Sequence, residues 1–189
     1  MKRDVVVIGA SAGGVIAVSS LLAGLPPRFP GSVFVVVHIP TDLPSSLPEV
    51  LRRHTDLDVV RPADGAAIRP GRVYVAPTDR HLLIGDRVVR VLKGPRENRH
   101  RPAIDPLFRS AAFFYRRRAV GVLLTGADSD GTSGLFSIKM RGGVAVVQDP
   151  QEAMFPMMPG TALHHVDVDH NLRLSEIPPL LGRLALKGA

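Results

Sequence analysis

Residues 5–14 read VVVIGASAGG, a run of four β-branched residues followed at once by a glycine-rich turn. The run is typical of a strand buried on both faces, and leucines at helical spacing follow the turn until Pro26-Pro27. A second apolar strand is predicted at residues 32–37. Because strand, helix and strand follow one another, the sequence predicts a βαβ unit with parallel strands and a right-handed crossover.

Strands and helices continue to alternate along the chain. Further helices are predicted at 43–54, 107–117, 135–140 and 175–186, and further parallel strands at 119–124 and 144–148. Residues 72–76, 81–84 and 87–92 alternate like short antiparallel strands, with Gly85-Asp86 as a tight hairpin turn. Asp105 is predicted to cap the helix that Pro106 begins. The predicted fold class is α/β: a doubly wound, mainly parallel sheet with helices on both faces and an antiparallel β-hairpin, in a single domain of residues 1–189.

The composition is that of a globular protein and narrows the possible chemistry. Of the 189 residues, 45% are hydrophobic and 22% are charged, and no apolar run is long enough for a transmembrane helix. The chain has no cysteine, which excludes disulfides, thiol nucleophiles and thiolate metal sites. No secretory signal precedes the first strand, so a cytoplasmic location is expected.

The formal net charge is +7, and the basic residues are scattered apart from Arg116, Arg117 and Arg118. No zinc-finger, helix-turn-helix or RNP-like motif accompanies them. The charge therefore predicts a solvated basic surface or an acidic protein partner, rather than nucleic acid or stable membrane insertion.

Three chemically useful side chains stand at the carboxyl ends of predicted parallel strands: Ser11 after the first strand, His38 at the end of the second, and Asp130 in the loop after the strand at 119–124. Sites in open α/β sheets form beyond the carboxyl ends of the strands. A hydroxyl that attacks, an imidazole that takes its proton and a carboxylate that orients the imidazole are the side chains needed for acyl transfer. Residues 9–13 also satisfy Gly-x-Ser-x-Gly, a turn that presents a serine hydroxyl beside the backbone N–H groups of a helix N-terminus.

Each of these features also has another interpretation. A glycine-rich turn after a strand is typical of phosphate sites, and residues 9–14 match a dinucleotide fingerprint in which Ser11 replaces the second glycine. His38 stands where a ribose-binding acidic residue is expected. Taken alone, Asp130 fits the N-cap of the next helix, and residues 128–131 (DSDG) begin like a calcium loop that lacks its glutamate. The histidines near the C-terminus match no metal-ligand spacing.

Four stretches give the chain a resemblance to the catalytic domain of the chemotaxis receptor methylesterases, the CheB family. They are VVVIGASAGG (5–14), VVVHIP (35–40), NRHRPAID (98–105) and GVLLTGADSDGTSGL (121–135), with GRVYVAPTDRHLLI (71–84) resembling the family's hairpin region. The resemblance implies that Ser11 is the nucleophile, His38 the base and Asp130 the orienting acid. It also implies that the backbone N–H groups of Ala12 and Ala127 hold the oxyanion, with no metal and no organic cofactor.

The chain departs from the family pattern at several positions. Ala12 replaces the usual threonine, and Ala127-Asp128-Ser129 replaces Met-Gly-Asn, so Asp128 adds a negative charge near the predicted site. Residues 157–162 (MMPGTA) replace Gly-Met-Pro-Arg-Glu-Ala and lack the arginine expected beside the cleft. No regulatory receiver domain is expected, because the chain begins at the catalytic region. His100 and Arg101 are candidates either to line the cleft or to serve as structural hydrogen-bond donors.

The function implied by the resemblance is hydrolysis of glutamate γ-methyl esters on chemoreceptor helices, with a related deamidation of glutamine. Methylated chemoreceptors are the expected protein substrate. Three other hypotheses fit the sequence: an esterase or amidase of the same fold with a substrate outside chemotaxis, a catalytically silent binding module, and a nucleotide-binding domain. The sequence predicts no particular oligomeric state.

Overall fold

The computed structural model describes residues 2–39 and 45–186 of the chain. Its seven-stranded sheet has the order β3-β4-β2-β1-β7-β8-β9, and every neighbouring pair is parallel. A separate antiparallel pair is formed by β5 and β6. The strands are β1 (Val5–Ala10), β2 (Ser32–Val37), β3 (Asp58–Val60), β4 (Arg72–Val75), β5 (His81–Ile84), β6 (Val89–Leu92), β7 (Ala119–Leu123), β8 (Val144–Gln148) and β9 (His170–Leu172).

Helices cover both faces of the sheet. They are α1 (Gly14–Ala23), α2 (Leu47–Arg52), α3 (Ile104–Tyr115), α4 (Thr132–Met140), α5 (Met157–His165) and α6 (Ile177–Leu186). The predicted fold class is confirmed: a doubly wound, mainly parallel sheet with an antiparallel hairpin.

Alternate residues of the central strand β1 belong to two separate hydrophobic cores. Val6 and Ile8 pack in the core that contains α1, α2 and α6, whereas Val5 and Val7 pack in the core that contains α3, α4, α5 and the hairpin. Successive side chains of a strand point to opposite faces, so a strand between two helical layers must be apolar at every position. This explains why the sequence shows a continuous apolar run here rather than an alternating one.

The strand order reverses around β1. The chain runs from β1 to β2 on one side and returns to β7 on the other, so β1 lies between them. Such a reversal leaves a crevice beyond the carboxyl ends of the strands, which is where ligands bind in open α/β sheets. The loops after β1, β2 and β7 therefore meet at one place.

Several details of the predicted secondary structure are wrong. Residues 72–75 form a parallel strand of the main sheet, because β4 pairs with β2 and β3 rather than with the hairpin. The hairpin turn spans 85–88 instead of two residues, with a hydrogen bond from the Gly85 N–H to the Val88 carbonyl. The short elements β3, β9 and α5 were not predicted. Part of the helix predicted at 43–54 falls outside the described residues, and the described part is a helix only from Leu47 to Arg52.

The start of α3 also differs from the prediction. The helix begins at Ile104 with Ala103 as its N-cap, so Asp105 lies inside the first turn. Its carboxylate is turned toward another helix, where it accepts a hydrogen bond from the Gly134 N–H of α4 at 2.6 Å. In residues 2–39 and 45–186, no helix has the length and apolar character needed to cross a membrane.

The pair Asp4–Arg118 joins the residue before β1 to the residue before β7. Both carboxylate oxygens of Asp4 accept from the guanidinium, at 2.8 and 3.0 Å. Burial opposes ionisation of Asp4, but the hydrogen bonds and charge of Arg118, together with Lys2, lower its pKa below the usual value. A lowered pKa in the folded state stabilises the fold above the unfolded pKa, and this stabilisation is lost as the pH falls through the folded value.

We expect Asp4→Asn to lower the free energy of unfolding by about 1 kcal/mol at neutral pH, because it removes a bidentate but half-exposed ion pair. The difference from the wild type should shrink below about pH 4, where the carboxyl of the unfolded chain becomes protonated, and should disappear once the pH falls below the lowered pKa of the folded protein. Urea denaturation at several pH values measures both effects. Arg117→Ala, a change in the same turn, is the control and should leave the pH dependence intact.

Candidate active site

Ser11 is the first residue after β1 and precedes a sharp turn into α1. Gly13 has φ +74°, a left-handed conformation that favours glycine, and α1 begins at Gly14. The Gly14 N–H donates to the Ser11 carbonyl at 2.8 Å, and the Ser11 N–H donates to the Thr125 carbonyl at 3.0 Å. The local sequence thus folds into a tight strand-to-helix turn that is tied to the loop after β7.

His38 is the first residue after β2 and lies between the other two predicted residues. Its Nδ1 is 3.2 Å from the Ser11 hydroxyl, and its Nε2 is 2.8 Å from Oδ2 of Asp130. Only 6% of its side chain is exposed. Since a carboxylate accepts but does not donate, Nε2 carries the proton toward Asp130 and Nδ1 is left to accept from the serine hydroxyl. The structure therefore brings Ser11, His38 and Asp130 into one hydrogen-bonded series.

The Asp130 side chain is completely buried and accepts four hydrogen bonds. Oδ2 accepts from His38 and from the Ile104 N–H at 2.6 Å, and Oδ1 accepts from the Asp105 N–H at 3.1 Å and from the Asn98 amide at 2.7 Å. Burial is the largest single influence and favours the neutral acid, but these hydrogen bonds outweigh it and lower the pKa of Asp130. Asp130 is thus ionised well into the acidic range.

The two N–H donors from α3 show that Asp130 sits at the N-terminus of that helix. The N-cap interpretation for the following helix α4 is wrong, since Gly131 precedes α4 and no side chain caps it. Asp105, in return, accepts from Gly134 in the first turn of α4. The carboxylate before α4 thus binds the first turn of α3, and a carboxylate in the first turn of α3 binds the first turn of α4. A helix N-terminus attracts negative charge, so this exchange favours the ionised carboxylate next to His38.

Asn98 connects the two carboxylates and was not predicted as a site residue. Its amide nitrogen donates to Asp105 at 2.9 Å and to Asp130 at 2.7 Å. Burial, followed by repulsion from Asp130, raises the pKa of Asp105 despite the bonds from Gly134 and Asn98. Asn98 has φ +48°, within the left-handed region that asparagine tolerates better than most residues. The asparagine at the start of NRHRPAID was the available signal.

We expect Asn98→Gly to lower the free energy of unfolding by about 1–3 kcal/mol, because it leaves two buried carboxylates without their shared donor. Glycine accepts the positive φ, so the backbone is preserved and the lost amide accounts for the change. Arg99→Gly is the matched control, since Arg99 has φ +69° but an exposed side chain. Equal denaturation curves for Asn98→Gly and the wild type would contradict this role.

The N–H groups of Ala12 and Ala127 lie in the loops on either side of Ser11. Within the described ranges, neither N–H donates to a carbonyl or a side chain. Thr125 stabilises both loops, because its hydroxyl donates to the Ala12 carbonyl at 3.0 Å and accepts from the Phe155 N–H at 2.8 Å. The geometry leaves these two donors available to a bound group.

His100 and Arg101, which the sequence allowed either to line the cleft or to be structural donors, have different surroundings. Arg101 donates to Asp79 at 2.6 and 2.8 Å and to the Gly94 carbonyl at 2.7 Å, so it is a structural donor. His100 stacks face to face on His38, with ring centroids 3.6 Å apart and planes within 9°. It therefore belongs to the site.

The chain region that lacks the expected arginine is α5. A side chain at Gly160 would meet no atom within 4 Å of its Cβ, so this position faces open space. A surface cavity of about 350 Å³ lies beside the serine turn, lined by Gly13, Ile16, Thr125 and Met154 among others. The exposed Met154 and Ile16 side chains give this cavity an apolar part, beside polar lining residues such as Gln148 and Glu152.

Among the described residues, one group has ligand atoms close enough to hold a metal ion: His38, His100 and Asp128. An imidazole binds a metal in the plane of its ring. Because the two rings are stacked face to face, no single point lies in both planes. The three side chains as arranged do not form a coordination sphere.

Fold and site together define a class: doubly wound α/β proteins in which a hydroxyl, an imidazole and a carboxylate are hydrogen-bonded in series at the carboxyl edge of the sheet. Residues 6–181 match the family model described as CheB methylesterase. The chain belongs to the CheB methylesterase family, and the resemblance found in the sequence is confirmed.

Individual relatives agree with this assignment. The chain is 42% identical over 183 residues to a protein-glutamate methylesterase/protein-glutamine glutaminase of Anaeromyxobacter dehalogenans, covering 97% of this chain and 54% of that protein. A relative from Leptospira interrogans is 40% identical over 185 residues, covering 97% and 96%. The crystal structure of the Thermotoga maritima CheB methylesterase catalytic domain matches with a TM-score of 0.90 at 33% identity, covering 97% of this chain and all of that one. The chain thus spans about half the length of the Anaeromyxobacter relative.

Proposed function

We propose that this protein is a protein-glutamate methylesterase that acts on methylated chemoreceptors, with Ser11 as nucleophile, His38 as base and Asp130 as the orienting acid. The observation that supports this most directly is the continuous series of hydrogen bonds from the Ser11 hydroxyl through His38 to Asp130. Membership of the CheB methylesterase family and the names of the relatives support the substrate class.

The proposed reaction has two stages. In the first, Ser11 Oγ bonds to the ester carbonyl carbon while its proton passes to Nδ1 of His38. Collapse of the tetrahedral intermediate breaks the bond to the methoxy oxygen, which takes that proton and leaves as methanol. In the second stage, water gives a proton to His38 and attacks the acyl-enzyme, which releases the glutamate carboxylate and restores the serine hydroxyl. No metal or organic cofactor takes part in these steps.

Two features support the stabilisation of the intermediate. The N–H groups of Ala12 and Ala127, which are unengaged in the described part of the chain, are the proposed donors to the oxyanion. The buried, ionised Asp130 lies on the far side of His38 and stabilises the imidazolium that forms. The same steps applied to a glutamine side chain release ammonia instead of methanol, so glutamine deamidation is the proposed second activity.

The receptor as partner is supported by charge. The chain carries a formal net charge of +7, which favours association with an acidic receptor surface and makes the association rate depend on salt. The apolar surface of Ile16 and Met154 beside Ser11 offers a contact for the apolar part of a substrate helix. In this proposal, the positive charge speeds the encounter with the receptor, and the apolar surface contacts the receptor helix once it is bound.

The test is methanol release from the methylated cytoplasmic fragment of a chemoreceptor. We expect methanol in proportion to the methylated sites, and ammonia from the same fragment carrying glutamine at those sites. A fragment with glutamate at every site is the control and should release neither product. Hydrolysis of a small methyl ester without any release from the receptor fragment would contradict the proposed substrate and favour an esterase with another partner.

A further inference from the structure

A second imidazole lies against the face of the proposed base, and a second carboxylate lies near the edge of its ring that faces Ser11. The His100 ring stacks on the His38 ring, and its Nε2 is 2.7 Å from Oδ2 of Asp128. The same Oδ2 is 3.6 Å from Nδ1 of His38, the atom that faces the Ser11 hydroxyl at 3.2 Å. His100 and Asp128 are partly exposed, with 30% and 23% of their side chains accessible.

The backbone around both residues is built to hold them there. Residues 97–100 form a turn in which Glu97 and His100 exchange backbone hydrogen bonds at 3.1 and 2.8 Å. The Asn98 amide anchors this turn to Asp130. The other carboxylate oxygen of Asp128 accepts from the Asp130 N–H at 3.0 Å, which fixes the loop after β7. Both members of the pair are therefore attached to Asp130, whose carboxylate is hydrogen-bonded to His38.

His38 Nδ1 consequently has two polar neighbours, the Ser11 hydroxyl and the Asp128 carboxylate, and its protonation decides which of them it can bond. While Nδ1 is unprotonated, it can accept from the Ser11 hydroxyl but gains nothing from Asp128, which also only accepts. Once Nδ1 carries the proton, Asp128 becomes an acceptor for it, in competition with the leaving oxygen. The His100 N–H occupies Oδ2 of Asp128 and so weakens that competition.

We propose that Asp128 and His100 act as a positioning pair for His38: His100 holds the ring by stacking and restrains Asp128, and Asp128 supplies a second carboxylate for the imidazolium. The kinetic part of this proposal rests on the proposed function. Asp128 stands where the usual family pattern has glycine.

The charged and titratable groups that face His38 in the described structure come from two loops. Asp128 and Asp130 follow β7, and His100 lies in the turn before α3; the Ser11 hydroxyl is the neutral neighbour after β1. Removing the charge at 128 therefore changes one charge among few, and an amide there can still accept from the Asp130 N–H with its oxygen while its NH₂ donates to the unprotonated Nε2 of a neutral His100. Asp128→Asn makes this change.

Steady-state kinetics against pH tests the pair. In Asp128→Asn, the pH at which kcat/KM falls to half its plateau on the acid side should drop, because the imidazolium loses an opposite charge 3.6 Å from its Nδ1. His100→Phe keeps an aromatic ring for stacking but frees Asp128, so the half-plateau pH should rise and kcat should fall about tenfold. In the double variant, the substitution at 100 should no longer raise the half-plateau pH, because the charge on which it acts is gone. Glu97→Gln is the control. Glu97 lies in the same turn as His100, but its carboxylate pairs with Arg109 of α3, so this substitution should leave the pH profile unchanged.

Identical pH profiles for Asp128→Asn, His100→Phe and the wild type would overturn the proposal, as would shifts of both single variants in the same direction. Nitrogen-15 spectra of the imidazoles, recorded through a pH titration, test the pair without any substrate. We expect the His38 nitrogens of Asp128→Asn to titrate at lower pH than in the wild type. Unchanged His38 titration would overturn the pair even if receptor esters are hydrolysed, whereas a shifted titration without turnover would contradict the proposed function alone.

Discussion

Ser11→Ala should lower methanol release from a methylated receptor fragment by at least about 10³-fold. The substitution removes the only hydroxyl within hydrogen-bond distance of His38 Nδ1 among the described residues, and with it the atom that is proposed to form the acyl-enzyme. The residual rate should reflect water attack assisted by the unengaged N–H donors. Folding should be little affected, because the Ser11 backbone bonds to Thr125 and Gly14 do not involve the side chain.

Ser137→Ala is the control for this change, since the Ser137 hydroxyl donates to the Ser133 carbonyl within its own helix α4. Its methanol release should equal that of the wild type. A fluorophosphonate reagent adds an independent measurement: mass spectrometry should find the wild type labelled once, on Ser11, and Ser11→Ala unlabelled. Wild-type turnover by Ser11→Ala would eliminate the serine mechanism.

Asp130→Asn should be the second most damaging substitution, with a loss of about 10³–10⁴ in kcat and about 2–3 kcal/mol in the free energy of unfolding. Each carboxylate oxygen of Asp130 accepts two hydrogen bonds, from His38 and Ile104 at Oδ2 and from Asn98 and Asp105 at Oδ1. An amide in either orientation turns its NH₂ toward two donors. Catalysis suffers as well, because the ring of His38 loses the acceptor that keeps its proton on Nε2.

The stability difference between Asp130→Asn and the wild type should depend on pH. The pKa of Asp130 is lowered in the folded protein, so its stabilisation is present above the unfolded pKa of about 3.9 and is lost as the pH falls through the folded value. Denaturation curves should therefore converge in strong acid. Asp86→Asn, an exposed carboxylate in the hairpin turn, is the control and should match the wild type. A pH-independent difference would show that the charge of Asp130 is not what stabilises the fold.

Much of the fold was predictable because its signals are local. A strand between two helical layers must be apolar at every position, and this was visible at residues 5–8 and 119–124. The failures also had local causes. The strand at 72–75 is followed closely by the two hairpin strands, so its alternation suggested a meander, whereas its pairing partners β2 and β3 lie far from it in the sequence. Strands as short as β3 and β9 have three residues each, too few for any periodicity to be visible.

The site divides in the same way. Ser11, His38 and Asp130 were predictable because each follows a parallel strand, and such strands end at one edge of a sheet. A second interpretation of the sequence made Asp130 the N-cap of the next helix. In the structure, its carboxylate instead accepts from the N–H groups at the N-terminus of α3. Asn98 was not predicted, because its importance lies in two hydrogen bonds to residues from different loops.

The sequence by itself determined the parallel α/β architecture, the family and the three side chains brought together beyond the strands, because burial periodicity and glycine-rich turns are properties of neighbouring residues. Only the tertiary structure decided which nitrogen of His38 faces Ser11, that Asp130 and Asp105 each accept from the first turn of the other's helix region, and that His100 and Asp128 lie against His38. These depend on loops that are separated along the chain and meet only when the sheet has formed, so no local pattern can encode them.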